Sequence, residues 1–424
     1  MPVQAGPDGT LVVTVRAPAK GTRPLPNADT ARVLRDLREM ATFGTYKTGV
    51  HRPTFSPQDV AARHWLVGKF REAGLEASID GIGSVFGLSP GPGPKILTGS
   101  HVESQNQAGW LDGPLGVIYG LEAARALPGR VDVAAWCDEE GHFGSFIGSR
   151  SFIGLLDEEE IDRLRNKYDG TPLRTALESA GLAERERRQV EPGRYAGYCE
   201  AHIEQGDTLE GAGLKIGVVT AIVAIWQYRI TATGEQNHAG TTSMARRRDA
   251  GLALTRLLAE IDRRFPDIAG PRTVWTTGRI TLEPGAPSII PGRAELLFQF
   301  RDADPVVLDR LDGELRRLVA EANRDGRCPM EIEVLGQSRP ALMDETLQGC
   351  IEAASEARQP GAALRMPSGA GHDAQYLARV MPSSMMFVPS IGGISHHWTE
   401  NTSDNDIAFG AEVYVDAVAR MLAA

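Results

Sequence analysis

The stretch KILTGSHVESQNQAGWLDGPLGVIYGLEAARALPGRVDVAAWCDEEG, residues 95–141, decides the fold. A short apolar run passes straight into His101. Asp112 follows in a glycine-flanked turn that opens an apolar helical pattern, PLGVIYGLEAARAL, and a second apolar run, VDVAAWC, ends at Asp138, Glu139 and Glu140. Strand–helix–strand alternation with near-continuous apolar strands predicts an α/β layer with a mostly parallel central sheet. In open sheets of that kind ligands bind beyond the carboxyl ends of the strands, which is where His101, Asp112 and the acidic triplet project.

The same alternation extends outward in both directions. TARVLRDLREMATF is a helix pattern, a second helix is expected after Ser56-Pro57, and LEASIDG, SVFGLS and SSMMFVPS read as strands. Residues 1–27, two turn-rich pieces around LVVTV, read as an N-terminal extension. Residues 223–337 read differently. Ala294, Leu296, Phe298 and Phe300 fall on one face of a strand with Glu295, Gln299 and Arg301 on the other, the period of a half-exposed antiparallel sheet. Its strand–helix–strand–strand–helix–strand order predicts a ferredoxin-like α+β domain inserted between catalytic segments 28–222 and 338–424. The second element of this insert, ARRRDAGLALTRLLAEIDRRF, is expected to be a helix opened by Arg246, Arg247 and Arg248.

Composition narrows the function classes. In 424 residues with 42% apolar and 24% charged side chains, a sizeable core is available. The longest apolar run, residues 216–226, falls far short of the roughly 20 residues that span a membrane. A net charge of -10 without a long basic run argues against nucleic acid as a partner. Four cysteines, none in a C-x-x-C pair, and no signal-like start point to a cytoplasmic protein.

Chemistry-bearing residues recur after strands. Besides His101, Asp112 and the acidic triplet there are E200-AHIE-Q205, carrying His202, and FVPSIGGIS followed by His396 and His397. Each has a plain structural alternative: a packed histidine, a capping Asp, a solvated charge run. Together they suit a borderline divalent cation such as zinc, manganese, nickel or cobalt. One of two adjacent carboxylates then binds metal while its neighbour accepts a proton from water, the division of labour in metal-assisted hydrolysis.

The segments GSHVESQNQAGWLDGPLGV, DEEG, AHIEQG, NHAGTTSMARRRDA, SGAGHDA and FVPSIGGISHHWTE resemble the M20-type amidase/carbamoylase family, from about residue 49 onward. That family includes N-carbamoyl-L-amino acid amidohydrolases, β-ureidopropionases, and allantoate and ureidoglycolate amidohydrolases. The resemblance implies a di-metal catalytic domain and an inserted domain acting as lid and dimer contact. It implies two divalent ions bridged by Asp112, with His101 and His202 completing one position and Glu140 and His396 the other. It makes Glu139 the general base and His238 a lid histidine that reaches across a homodimer to the substrate oxyanion. Gln205, Arg301, His372, Ser288, Gly392 and Gly393 match substrate-holding positions, with Arg301 reading a substrate carboxylate; its structural alternative is an ion pair with Asp302 or Asp304.

Three departures bear on the substrate. Family members usually carry His-x-Asp, whose Asp orients the metal histidine; Glu103 stands here, so a looser or displaced hold on His101 is expected. Ser288 replaces the usual Asn before the IPG segment, and His142-Phe143 follows DEEG in place of a small residue and Arg-Phe. His142 is expected beside the ligands or partly exposed, with a pocket-lining place as the alternative. Cys137 is expected to be a structural thiol with no basic neighbour. The leading expectation is an amidohydrolase cleaving a linear C–N bond of a small N-carbamoyl or ureido acid. An N-acyl-amino acid hydrolase or dipeptidase is the alternative, and a non-catalytic binding protein a third.

Overall fold

A computed structural model of the chain describes residues 27–424, preceded by the paired strands Gln4–Ala5 and Leu11–Val12. The expected extension over residues 1–27 otherwise lies almost wholly outside the described residues. Strands Ser383–Val388, Tyr195–Ile203, Lys95–His101 and Val131–Trp136 lie side by side in that order, all parallel, in the middle of a nine-stranded sheet. Every residue of Lys95–His101 and Val131–Trp136 is buried, which is why their sequence is largely apolar rather than alternating. Successive side chains feed opposite cores. Ile96, Val131, Val133 and Ala135 pack with helices Thr30–Ala41, Pro57–Glu72, Pro114–Ala126 and Asp404–Met421. Leu97, Ala134, Trp136 and Tyr198 pack on the other face with Phe152, Leu377 and Phe387.

The flanks correct the expectation of a mostly parallel sheet. Val85–Leu88 runs antiparallel to both Val131–Trp136 and Glu76–Ile79. On the far side Ile216–Ile222 is antiparallel to Ser383–Val388 and Ala341–Leu342, and parallel only to Ala363–Ser368. The sheet is mixed. The reason on the first flank is connection length: a few residues, 80–84, join the two strands, and a link so short allows only an antiparallel hairpin. Asp80 fixes that turn by accepting the main-chain N–H groups of Ile82, Ser84 and Arg188. Helix Pro57–Glu72 begins where the Ser-Pro pair predicts, with Ser56 Oγ accepting the Asp59 N–H at 3.2 Å.

Between the flank and the return to this sheet lies a second sheet of four antiparallel strands. Their order is Val274–Glu283, Arg293–Asp302, Ala224–Thr233, Met330–Gln337. In chain order this is the strand–helix–strand–strand–helix–strand pattern read from the sequence. Ala294, Leu296, Phe298 and Phe300 are buried in alternation and pack against helices Ala250–Arg264 and Pro305–Asp325. The first of these helices starts at Ala250, capped by Asp249, whose side chain accepts the Leu252 N–H. Arg246, Arg247 and Arg248 therefore precede the helix instead of opening it, and Arg247 and Arg248 donate to main-chain carbonyls of Ala239 and Arg327. Among the described residues no helix is long and apolar enough to cross a membrane.

Candidate metal centre and active site

The carboxyl ends of the four parallel strands bring together residues remote in sequence. His101 ends one strand and His202 stands next to last in another, Glu139 and Glu140 follow a third, and His396 follows the fourth across a glycine-rich turn. Asp112 sits between them. Its Oδ1 lies 3.4 Å from His101 Nε2 and 3.2 Å from His202 Nε2, and its Oδ2 lies 3.4 Å from His396 Nε2. His396 Nε2 is also 3.7 Å from Glu140 Oε2. Two overlapping donor groups result, His101–Asp112–His202 and Asp112–Glu140–His396, each with its ligand atoms mutually within 4.8 Å. Gly113 makes the first possible: its φ is +86°, and a Cβ there would come within 2.5 Å of the His101 ring. His396 and Gln205 hold left-handed backbone, φ 54° and 60°, the kind of strain that collects at functional sites.

Hydrogen bonds to the outer ring nitrogens test whether this arrangement fits a cation. His101 Nδ1 lies 3.0 Å from the Glu103 carbonyl and His202 Nδ1 lies 3.0 Å from the Ile203 carbonyl. A carbonyl only accepts, so both Nδ1 atoms carry the proton, and each Nε2 lone pair of the neutral ring faces the Asp112 carboxylate. Nε2 of His202 is buried without a hydrogen-bond partner despite that 3.2 Å approach. Lone pairs and carboxylate oxygens crowded on one point repel unless positive charge lies between them. Burial would lower the His101 pKa, yet Glu139 and Asp112 raise it well above its usual value. Against burial, the imidazoles of His101, His202 and His396 facing it hold Asp112 well below the carboxylate range. A divalent ion satisfies the same geometry with the donor types it prefers, and the residues fit.

Glu139 overhangs the first group, with Oε2 3.8 Å from His101 Nε2. Burial first, and the neighbouring Glu140 next among the raising influences, push its pKa well up. The acidic turn is tied down from below: Asp138 (φ 57°) accepts the N–H groups of His142, Phe143 and Gly144 at 2.8–2.9 Å and the Thr54 hydroxyl at 2.6 Å. Gln105 grips Glu140, its amide donating to Oε2 at 2.9 Å and its main-chain N–H to Oε1 at 3.0 Å. His142 is wholly buried with Nδ1 3.2 Å from Thr54 Oγ1, so it does not line the cleft. The Glu103 expectation needs correcting: the main-chain carbonyl of residue 103, not its side chain, orients His101, and the carboxylate stands 3.9 Å from Nδ1. Cys137 does have a basic neighbour, Arg63, but burial outweighs it and drives the thiol pKa well up, as a structural cysteine requires.

Above the ligands opens a cleft of about 530 Å³ between the two sheets. Gln205, Arg301 and His372 line it together with Asp112, Glu139, Glu140, His202 and His396. Gln205 donates to Asp112 Oδ2 at 2.8 Å. His372 packs its ring 4.5 Å from that of His202 and meets Ser368 Oγ at 2.9 Å. Arg301 forms no ion pair with Asp302 or Asp304. It donates to the Gly369 carbonyl at 3.0 Å, and burial lowers its pKa, the condition of a guanidinium lacking a counter-ion. Gly392 and Gly393 stay outside the cleft lining; the Gly392 N–H bonds Glu210, and a Cβ at Gly393 would strike Asp207. His238 and Ser288 lie together on the exposed ladder of Asn237–His238 with Ile289–Ile290, away from the cleft of their own chain. His238 Nδ1 accepts the N–H groups of Gly240 and Thr241, which leaves its proton on Nε2.

Several residues here gave no signal in the sequence reading. Glu400 accepts the N–H groups of Leu111 and Asp112 and the Ser395 hydroxyl, fixing the main chain that carries Asp112. Phe146 and Tyr376, ring centroids 5.2 Å apart, wall the cleft with Gln227 and Gln375. Arg63 lies in the helix Pro57–Glu72, 40 residues in sequence from the Glu103 carboxylate it pairs with. Only the carboxylate of HHWTE was available as a hint, and nothing marked it as pointing back to residue 112.

Residues 92–420 match the model of Peptidase family M20/M25/M40. The chain is 32% identical to an N-carbamoyl-L-amino-acid amidohydrolase of Paenarthrobacter aurescens, over 92% of this chain and 97% of that one. It is 32% identical to an allantoate amidohydrolase of Bacillus subtilis, over 88% and 93%. Among solved structures, an amidase of the hydantoinase/carbamoylase family from Burkholderia phymatum superposes with a TM-score of 0.89 at 46% identity, covering 95% of this chain and 99% of that one.

Proposed function

Given that this chain belongs to peptidase family M20/M25/M40, we propose that it is a metal-dependent amidohydrolase cleaving a linear, non-peptide C–N bond of a small N-carbamoyl or ureido acid. The observation that carries this is the pair of donor groups sharing Asp112, with Glu139 beside them and an uncompensated arginine across the same cleft. His101, Asp112 and His202 hold one divalent ion, and Asp112, Glu140 and His396 a second, drawn from zinc, manganese, cobalt or nickel. Bound there, such ions acidify water and polarise a carbonyl.

The chain's own residues do the rest. Arg301 takes the substrate carboxylate as a two-pronged donor and so sets the distance from that carboxylate to the scissile group. Glu139 removes a proton from the attacking water and returns it to the leaving nitrogen, a role suited to a carboxyl whose pKa burial has raised well above its usual value. Gln205 and His372 hold the substrate over the ligands, and Ser288 on the inserted unit with Gly392 and Gly393 on the catalytic one complete the enclosure when the inserted unit closes. Residues 223–337 act as lid and dimer contact in a cytoplasmic homodimer. His238 presents its Nε2–H to the oxyanion of the partner subunit's substrate, which accounts for its distance from the cleft of its own chain. The N-acyl hydrolase or dipeptidase reading is not favoured by the names of these relatives.

Metal-loaded protein is expected to release ammonia from at least one of an N-carbamoyl-L-amino acid, N-carbamoyl-β-alanine and allantoate. Silence on all three, with divalent ions confirmed in the sample, defeats the assignment.

A further inference from the structure

Beneath the acidic turn runs a buried chain of charges that no ligand role accounts for. Glu103 is fully buried, and its Oε1 stands 3.9 Å from His101 Nδ1, beyond hydrogen-bond reach. Oε1 accepts the main-chain N–H of Glu139 at 2.7 Å, and Oε2 accepts Arg63 Nη2 at 2.8 Å. Arg63, also buried, donates through Nε to Asp59 at 2.9 Å and through Nη1 to the Gly83 carbonyl at 2.6 Å. Asp59 in turn accepts the Phe55 N–H at 2.9 Å, so the chain of contacts ends in main chain at both ends. A charge-assisted bond in such surroundings is short and directional, and a buried carboxylate with both oxygens engaged has one position only.

We propose that Glu103 is a positioning residue for Glu139, set by Arg63 and Asp59, and that its extra methylene over the Asp expected at this place is what lets it reach the Glu139 main chain. This rests on the reading of Glu139 as general base. His101 loses nothing by the change, because the carbonyl of residue 103 holds its Nδ1. A displacement of the base by about 1 Å is enough to cost on the order of 100-fold in rate without altering what binds.

The test compares Glu103→Gln, Glu103→Asp and Glu139→Gln in metal-loaded full-length protein, reading kcat, KM, bound metal by elemental analysis and Tm. Gln keeps the length but turns its NH2 toward either Arg63 or the Glu139 N–H, so that one accepted bond is lost; Asp keeps the charge and loses the reach. The expected pattern is a kcat at least tenfold lower in both variants, with KM and metal content unchanged within about twofold. Should one variant fail to fold, the other decides by the same readouts. Loss of metal from Glu103→Gln overturns the proposal, because it would mean that the carboxylate serves His101. A kcat within about threefold of the parent in either variant overturns it as well. Full turnover by Glu139→Gln is a separate result: it removes the base assignment itself, whatever the residue 103 variants do.

Discussion

Arg301 carries the sharpest single-residue expectation. It is half-buried, faces the cleft and has only main-chain and amide partners, so its charge is available to a ligand. Arg301→Ala is expected to raise KM, or lower kcat/KM, by one to two orders of magnitude for carboxylate-bearing substrates, roughly the worth of a charge-assisted pair. An equal loss on a neutral amide means that it does not read the carboxylate. Asp80 offers a pH test remote from the centre. Burial, against the main-chain N–H donors of Arg188, Ile82 and Ser84, pushes it up to about 6 from 3.8. Between those values the folded chain keeps a proton that the unfolded chain releases, so this group's stabilising contribution is full below 3.8 and is lost as pH rises through about 6. The Tm difference between Asp80→Asn, which does not titrate, and the parent should shift in the variant's favour across that window and stay level above pH 7. At this scale the donor residues His101, Glu140, His202 and His396 were legible because each stands at or beyond the end of an apolar strand. Arg63 and Glu400 were not, since their significance lies in approaches across the fold that no local pattern encodes.

The turn after Lys95–His101 shows how elements rather than residues build the centre. Gly113 both begins helix Pro114–Ala126 and leaves room for the His101 ring. Gly113→Ala places a methyl 2.5 Å from that ring on a backbone an L residue resists, so His101 and Asp112 must separate. The expected outcome is at least a tenfold loss of metal affinity, measured by titration calorimetry on folded protein, while circular dichroism stays close to the parent. Unchanged affinity would show that the turn relaxes without moving the ligands. Strand and helix identities were plain in the sequence, and the alternation through Ala294–Phe300 gave the second sheet its buried face. Strand direction at the flanks was not, because a buried edge strand reads the same whichever way it runs. The start of helix Ala250–Arg264 was misplaced for a related reason: three arginines extend a helical pattern, but Asp249 supplies the cap.

At the level of the whole molecule, the proposed homodimer, in which His238 of one chain serves the cleft of the other, makes a definite demand, and His238 is exposed and outside the cleft lining of its own chain. Glu139→Gln and His238→Ala chains, each expected to be nearly inactive alone, should regain activity when coexpressed, because one site in each mixed dimer then has both residues intact. No recovery, with mixed dimers demonstrated by differential tagging, would confine His238 to a structural role. The order of synthesis adds a constraint of its own. The first donor group is complete once residue 202 has emerged, but the second waits for residue 396, and the strand before it must slot between Tyr195–Ile203 and Ile216–Ile222. A nascent or truncated chain therefore presents the first donor group without the second until translation has run past the last of the four central parallel strands.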